Sequence, residues 1–267
     1  MDTRIVSLQP ETLAIVKLGG SIITQESGEI DLANLRSLGC EIAQYKFPLI
    51  LVHGGGYLIK KILLDYKVKT DTFLKEQTPL VFHLRNSLVQ LNTFLLNTFQ
   101  EAGVHTVSIP AHSMFKSCNG KIIPSETIFE FLSTVIQSGK IPVLFGDVLD
   151  DKEGSFYFNS SDKIVSCLAK ELKPKIVLFL TNVDGIYESF PPKSDKEAVF
   201  PVVTPNILYQ LDNKYDVGHG EIYDKLVEAI ECASHTNVCR IINGKVPGNL
   251  LDSLYGRLEA GTKVLPR

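Results

Sequence analysis

The segment FPLILVHGGGYLIKK (residues 47–61) joins a continuous apolar run, three consecutive glycines and a stretch with helical spacing. A continuous apolar run is typical of a strand that is covered on both faces, as in a parallel sheet. Glycines between a strand and a helix let a ligand approach the backbone closely, and phosphate is the commonest such ligand. The segment therefore predicts one βα unit of a parallel sheet with an anion site at its turn.

Further apolar runs of the same kind recur along the chain, and segments with helical spacing separate several of them, such as LRNSLVQLNTFLLNTFQEAG at 84–103. This alternation predicts a three-layer α/β/α sandwich with a mainly parallel central sheet. A turn-like D-D-K-E-G predicts a β-hairpin within 146–163, and prolines and charges predict a surface loop at 188–201. The other apolar runs are TLAIVKLG (12–19), HTVSIPA (105–111), KIPVLFGD (140–147), KIVLFLTN (175–182) and VCRIING (238–244).

Composition favours one domain, residues 1–267, that binds a small molecule. The chain is 44% hydrophobic with a formal charge of −3, so it can bury a core but shows no basic field for nucleic acid or an anionic membrane. Five cysteines occur without C-x-x-C spacing, no N-terminal segment has signal-peptide order, and no apolar run reaches the ~20 residues that cross a bilayer. We therefore expect a cytoplasmic protein with no nucleic-acid or membrane partner.

The first strand also ends in a glycine turn; we call this the first glycine turn and the one at 54–56 the second glycine turn. In VKLGGSII (16–23), Gly19, Gly20 and Ser21 follow closely after Lys17. Backbone N–H groups at such a turn can point at an anion, and a lysine on the same strand adds a full charge. The alternative is a plain βα turn with an exposed lysine. Neither glycine turn has P-loop or G-x-G-x-x-G spacing, so neither familiar nucleotide motif is expected.

Three later segments carry similar signals at strand ends or helix starts. Phosphate could bind at the segment that contains Asp162, or Asp162 could simply cap a helix. Asp184 lies in an ordinary D-G turn. Lys225 lies near a helix start, where a positive charge is unfavourable unless an anion binds there. The segments are NSSDKI (159–164), LTNVDGIY (180–187) and GHGEIYDKLVEAI (218–230).

In this order the motifs resemble the amino-acid kinase superfamily over nearly the whole chain, through VKLGGS, HGGG, GDV, SSDK, TNVDGIY and a terminal AGTKV. Within it the closest resemblance is to isopentenyl phosphate kinases, through LVHGGG, LRNSLVQLN, EAGVHTVSIPA and PVLFGDVLDD; fosfomycin-type kinases come second, through FNSSD. The resemblance implies the amino-acid kinase fold and transfer of the γ-phosphoryl group of ATP, with Mg²⁺ carried mainly by ATP and water. It also implies a homodimer, a common habit of the family.

The resemblance assigns roles by motif. Lys17 and Lys225 would flank the transferring phosphoryl group, and Asp162 would hold both lysines. Residues of about 1–170 would bind the acceptor and those of about 171–267 would bind ATP. The cofactor-binding residues implied are Gly19, Gly20, Ser21, Thr181, Asp184, Tyr187, Gly218 and Gly220. The acceptor-binding residues implied are Gly54, Gly55, Gly56, Lys60, Gly146, Asp147, Ser160 and Ser161.

The chain departs from the resembled kinases at three places. Their GGGSFGH reads GGGYLIK here, so Lys60 stands at the position of an acceptor-binding histidine. Their second lysine after the first glycine pair is replaced by Gln25 or Glu26. Their T-G-G-M before the nucleotide-loop lysine is HGEI here, with a short insertion near 216–217. Lys60 then either holds an acceptor phosphate or is a solvated helix lysine.

Three functions follow from these observations. The first is an ATP-dependent kinase that converts isopentenyl phosphate to isopentenyl diphosphate in isoprenoid biosynthesis. The second is a fosfomycin-like phosphonate kinase or a carboxylate kinase. The third is a nucleotide-binding regulatory protein with little turnover, which the acid at Glu26 and the HGEI segment would favour.

Overall fold

The computed structural model describes residues 9–69, 71–74, 79–151, 155–189, 197–211 and 220–266, except the side chains at 220 and 221. The strands in chain order are β1 (Ala14–Leu18), β2 (Leu49–His53), β3 (Thr72–Leu74), β4 (Thr106–Pro110), β5 (Phe115–Cys118), β6 (Lys121–Pro124), β7 (Ile141–Phe145), β8 (Asp147–Asp150), β9 (Phe156–Asn159), β10 (Ile176–Thr181), β11 (Val202–Val203), β12 (Val238–Asn243) and β13 (Thr262–Val264). The helices are α1 (Gly20–Ile23), α2 (Leu32–Gln44), α3 (Gly56–Asp65), α4 (Pro79–Glu101), α5 (Ala111–Met114), α6 (Ile128–Gln137), α7 (Ser161–Leu172), α8 (Pro205–Leu211), α9 (Gly220–Ala233) and α10 (Asn249–Leu254).

The central sheet has eight strands in the order β11-β13-β12-β10-β1-β2-β7-β4. The six strands expected from the apolar runs lie side by side in it and are mutually parallel, whereas β13 joins β12 in antiparallel orientation. The mainly parallel sheet is therefore confirmed. Because parallel strands end at the same edge, all the loops that follow them meet there.

Helices cover both faces of this sheet. Along β1, Ile15 points into a core that α6, α7 and α9 close, whereas Val16 points into a core that α2, α4 and α10 close. Both side chains are fully buried. This alternation explains why the strands are apolar at successive positions, and it confirms the three-layer sandwich.

The predicted hairpin is present as β8 and β9, and β3 extends it to a three-stranded sheet. Its apolar face packs on α3 and α4 through a third core cluster that includes Ile59, Leu88 and Phe158. The predicted helix at 84–103 ends at Glu101, and Gly103 follows with φ of +80°, a conformation that glycine adopts without strain. The hairpin and the helix thus bring apolar side chains to one side of the sheet edge.

Part of the predicted surface loop at 188–201, residues 190–196, lies outside the described residues. Val199 of this segment forms an isolated antiparallel bridge with Tyr187, the residue just before the segment. Within the described ranges, no helix combines the length and apolar character of a membrane span.

Candidate active site

The loops at the carboxyl edge of the sheet are held by backbone hydrogen bonds. Each ladder continues past the end of its strand, so that the first residue of the loop donates to the neighbouring strand. The sheet therefore positions the loop backbone, because the glycines in these loops have no side chains that could do so. The donors and acceptors are Gly19 N to Leu180 O (3.0 Å), Gly54 N to Leu18 O (3.0 Å) and Gly244 N to Thr181 O (2.8 Å).

The two glycine turns contact each other through their backbones. A Cβ atom placed on Gly20 would lie 2.5 Å from Cα of Gly56 and 2.6 Å from its nitrogen. Thr24 links the same two segments, since its hydroxyl accepts from Tyr57 N (2.7 Å) and donates to Gly20 O (3.2 Å). Only a residue without a side chain allows this approach at position 20, so the glycines serve packing as well as ligand access.

A cavity of about 660 Å³ opens between these loops. It is large enough for a nucleotide or a drug-sized ligand. Most of the residues expected from the sequence line it, namely Lys17, Gly19, Gly20, Ser21, Gly54, Gly55, Gly56, Lys60, Gly146, Ser160, Ser161, Asp162, Thr181 and Lys225. The strand-end segments, which are far apart in sequence, are thus brought to one site.

One carboxylate holds two ammonium groups at the centre of this cavity. Lys17 Nζ lies 2.8 Å from Asp162 Oδ1, and Lys225 Nζ lies 3.0 Å from Asp162 Oδ2. The lysine side chains are only 5% and 10% exposed and the aspartate 13%. The three groups together carry one net positive charge in a poorly solvated place, where an approaching phosphate is attracted more strongly than in water.

Burial and mutual attraction set the ionisation of this cluster. Burial works to raise the pKa of Asp162, but the charges of Lys17 and Lys225 outweigh it and lower that pKa to about 2. For Lys17, burial is the largest influence, and the like charge of Lys225 adds to it; attraction by Asp162 opposes both, and the pKa falls to about 8. Lys17 is therefore charged at neutral pH but not far above it.

The start of α7 positions the central carboxylate. Ser160 is the N-cap, and its hydroxyl oxygen accepts from Lys163 N at 3.4 Å. Asp162 lies in the first turn, where the helix dipole favours a negative charge. The alternative that Asp162 is the cap was wrong, because its carboxylate points away to the two lysines.

Three predicted residues do not line the cavity. Asp147 is buried beneath it, where its carboxylate contacts His112 Nδ1 (2.5 Å) and Arg85 Nε (3.8 Å). Asp184 is exposed and accepts a hydrogen bond from Asn243 Nδ2 (2.7 Å). Tyr187 follows in the same turn and also lies away from the cavity lining. Alternation along β8 explains Asp147, because its neighbour Val148 takes the face toward α3 and α4.

Two residues predicted for the nucleotide loop lie at the edge of the described residues or outside them. Gly218 lies outside the described residues, as does His219 of the HGEI segment. Gly220 is the first described residue of α9.

Sequence reasoning missed one wall of the cavity. The side chains of Ile59, Leu63, Leu88 and Phe158 line it from α3, α4 and β9 and form an apolar end. In the sequence these residues are ordinary core positions of amphipathic elements, so no signal distinguishes them. Lys245 was also missed; it follows the last long strand, and its place after a strand end was the available signal.

A buried histidine fixes the second glycine turn from below. His53 is fully buried at the end of β2, and its Nδ1 lies 2.9 Å from Gly54 O. Since a carbonyl oxygen only accepts, Nδ1 carries the proton. Nε2 lies 3.2 Å from Asn92 Oδ1, and Asn92 in turn bonds to Ser108 Oγ (2.7 Å). Burial is the main cause that lowers the pKa of His53, while the contacts with Gly54 and Asn92 work to raise it. Both ring nitrogens thus help to position the turn.

Proteins that bind phosphate groups at the carboxyl edge of a parallel sheet use this combination of backbone donors and fixed cations, and fold and cavity together place the chain in that class. The sequence profile described as the amino acid kinase family matches residues 12–243. The chain therefore belongs to the amino acid kinase family.

Several proteins of known name to which the chain is similar are also small-molecule kinases. Isopentenyl phosphate kinase of Methanothermobacter thermautotrophicus is 27% identical over 94% of this chain and 98% of its own length, and that of Methanocaldococcus jannaschii is 28% identical with the same coverage. Acetylglutamate kinase of Corynebacterium jeikeium is 24% identical over 96% of this chain and 84% of its own. A solved isopentenyl phosphate kinase structure has a TM-score of 0.77 at 25% identity, covering 94% of this chain and 99% of that one.

Proposed function

We propose that this protein is an ATP-dependent kinase that transfers the γ-phosphoryl group of ATP to isopentenyl phosphate, giving isopentenyl diphosphate and ADP. One observation carries the proposal: the cavity joins the lysine pair on Asp162 to the apolar end formed by Ile59, Leu63, Leu88 and Phe158. A phosphate on a short hydrocarbon chain has the same two parts. The names of the relatives support the same substrate.

The proposed reaction breaks the bond between the γ-phosphorus and the bridging oxygen to the β-phosphate, while an acceptor phosphate oxygen forms a new bond to that phosphorus. Negative charge spreads over the transferring oxygens, and catalysis consists mainly of positioning and charge stabilisation. Lys17 and Lys225 would contact these oxygens. Asp162 would hold the two ammonium groups at a fixed separation, as it does in the structure.

The remaining site residues would divide between the substrates. N–H groups of the first glycine turn, with Thr181, would bind the nucleotide phosphates. The second glycine turn with Gly146, Ser160 and Ser161 would bind the acceptor. Mg²⁺ would be carried by ATP phosphates and water, and of the carboxylates that line the cavity Glu26 and Asp224 could accept from that water; this donor set fits the ion's preference for few carboxylates.

Lys60 would hold the acceptor phosphate. Its side chain lies on α3, one turn after the second glycine turn, and it lines the cavity next to the apolar Ile59 and Leu63. A lysine ammonium reaches further than the histidine of the resembled kinases and stays charged at neutral pH. Asp147 would act behind the site and not on the substrate, because its carboxylate faces His112 and Arg85.

A carboxylate acceptor is the second candidate, since acetylglutamate kinases are also similar over nearly the full chain. An assay of ADP release with a panel of acceptors distinguishes the candidates: isopentenyl phosphate, fosfomycin and N-acetylglutamate, each with ATP and Mg²⁺. We expect turnover with isopentenyl phosphate to exceed that with the others by at least ~100-fold in kcat/KM. A preference for N-acetylglutamate or fosfomycin, or no turnover with any acceptor, would refute the proposed substrate.

A Lys60→Ala variant adds a test of the acceptor site. Loss of a charge-assisted contact should raise the KM for isopentenyl phosphate by about tenfold to a hundredfold while the KM for ATP stays near wild type. Lys61→Ala is the matched control, because Lys61 is also exposed on α3 and does not line the cavity. Equal KM values in the two variants would show Lys60 to be a solvated helix lysine.

We further propose a homodimer and a cytoplasmic location. The resemblance to the kinase family supports the dimer. All five cysteines of the chain have free thiols, which supports a reducing compartment.

A further inference from the structure

We propose that Lys245 is a nucleotide-binding residue whose ammonium group moves from Asp31 to the phosphate chain of ATP when the nucleotide enters the cavity. The inference rests on the proposed function only in taking the cavity as an ATP site. It assigns a role to a lysine that the sequence motifs do not indicate.

The position of Lys245 places it on the nucleotide side of the cavity. It follows β12, and the preceding Gly244 donates its N–H to Thr181 O of β10 at 2.8 Å. Thr181, Asn182 and Lys245 all line the cavity. Lys245 is thus beside the strand end proposed for ATP, whereas Lys60 lies on α3 beside the apolar end.

The backbone of Lys245 is fixed although its side chain is long. Its N–H donates to Asn243 Oδ1 (2.9 Å), and Asn243 Nδ2 donates to Asp184 Oδ1 (2.7 Å). Asn249 Nδ2 also holds Asn243 O at 3.0 Å. Asp184, expected to touch the nucleotide, would therefore act indirectly, as a positioning residue that orients Asn243 under the Lys245 loop.

The ammonium group of Lys245 forms an ion pair with Asp31, the residue that caps α2. The lysine side chain is 31% exposed and the carboxylate 15%, so the cation is the more accessible partner. Burial works to raise the pKa of Asp31, but Lys245 and the N–H of Asn34 outweigh it and lower that pKa. Asp31 also accepts the N–H of Asn34 at 3.1 Å, a bond that does not involve the lysine.

The side-chain charges that line the cavity cancel, so the binding of an anionic nucleotide requires a cation that can turn toward it. Among the described residues, four lysines and four acids line it, so its side chains carry no net charge. Asp162 already binds Lys17 and Lys225. Glu26, at or next to the position where the resembled kinases have a lysine, adds a negative charge on the turn that leads to Asp31. ATP brings several negative charges, and Lys245 is the cation of the nucleotide side that is not bound to Asp162.

The test compares nucleotide binding by isothermal titration calorimetry in wild type, Lys245→Ala and Lys245→Arg. Lys245→Ala should raise the Kd of ATP about tenfold to a hundredfold and leave the Kd of adenosine unchanged, because adenosine has no phosphate. Lys245→Arg should stay within about fivefold of wild type. Lys116→Ala, an exposed lysine on β5, is the control and should match wild type.

A second pair of variants separates binding from a structural role. Asp31→Asn keeps the helix cap but removes the competing charge, so ATP should bind at least as tightly as in wild type. Glu26→Lys in the Lys245→Ala background should restore ATP affinity, since the new cation enters the same cavity. Equal ATP affinity of wild type and Lys245→Ala would overturn the inference, as would a weaker ATP affinity in Asp31→Asn. Failure of the wild-type protein to bind ATP would instead refute the proposed function.

Discussion

At the scale of single residues, the shared carboxylate of Asp162 determines what the two lysines can do. Lys17 Nζ and Lys225 Nζ both lie within 3.2 Å of its oxygens. Two ammonium groups this close would repel each other without an anion between them. The arrangement holds two cations at one point and leaves one unit of positive charge for a ligand.

Replacing Asp162 by Asn should therefore weaken the hold on the two lysine ammonium groups while preserving the fold. Asn keeps the size of the side chain but not its charge, so we expect kcat to fall by at least ~100-fold, as when an electrostatic stabiliser of a transition state is removed. Kinetics with isopentenyl phosphate and circular dichroism check this. Asp252→Asn is the matched control, since Asp252 lies in the first turn of α10 and its side chain is 47% exposed. Wild-type kcat in Asp162→Asn would contradict the assignment.

The lowered pKa of Lys17 predicts an alkaline limit of activity. Its pKa of about 8 lies below the ordinary 10.5, so the free enzyme loses this charge as the pH rises through about 8. We expect kcat/KM to decline above that pH, and the decline should report the free enzyme. In Lys17→Arg the decline at alkaline pH should be absent, because guanidinium stays charged. A wild-type profile that is flat to pH 10 would contradict the role of Lys17.

At the scale of elements, the contact between the two glycine turns joins β1–α1 to β2–α3. Gly20 has no room for a Cβ because the Gly56 backbone lies within 2.6 Å of it. Thr24 closes the same junction through its two hydrogen bonds. The two turns therefore move together, and a change in one alters the donors of the other.

Gly20→Ala should separate the turns and lower both stability and activity. We expect a loss of about 2 kcal/mol or more in unfolding free energy, because backbone atoms cannot yield as side chains do, together with a kcat decrease of at least tenfold. Urea unfolding and steady-state kinetics measure the two effects. Gly139→Ala is the control: its φ is +73° but nothing lies within 4 Å, so it should cost about 1 kcal/mol with wild-type kcat. Equal kcat in the two variants would show that the contact is not needed for catalysis.

At the scale of the whole molecule, the described residues include an open strand edge and exposed apolar side chains on a neighbouring helix. In the described part of the chain, β4 is the last strand of the main sheet and α4 packs beside it. On α4, the side chains of Phe82 and Val89 are 61% and 44% exposed. They lie on the same face of the helix, about two turns apart. An open sheet edge and exposed apolar side chains are both features that proteins usually cover.

We therefore expect light scattering to give a mass near twice the 29.6 kDa of one chain. Phe82→Glu should shift the mass toward that of a single chain, because it places a charge in the proposed contact. Tyr209→Glu is the control, since Tyr209 is 82% exposed on α8 and belongs to a different surface. A single-chain mass for the wild-type protein would exclude the dimer, and an unchanged mass in Phe82→Glu would exclude this face.

Much of the architecture was predictable from local pattern. Six continuous apolar runs indicated the six adjacent parallel strands, and the turn chemistry near Asp150 indicated the β8–β9 hairpin. Strand ends with glycine or lysine indicated the cavity, because parallel strands end at a common edge. These inferences depend only on neighbours in the chain or on a general rule of topology.

Residue patterns alone were thus enough to predict the layer order, the sheet edge where the glycine and lysine loops gather, and the lysines and aspartate that meet there. Long-range packing, in contrast, directs Asp147 to His112, gathers Ile59 and Phe158 at the apolar end, and brings Lys245 to the cavity beside Thr181. The physical reason is that these outcomes depend on which face of a strand or helix meets which neighbour across long stretches of chain. Such contacts are set by the packing of the whole molecule and leave no mark at the residue's own place in the sequence.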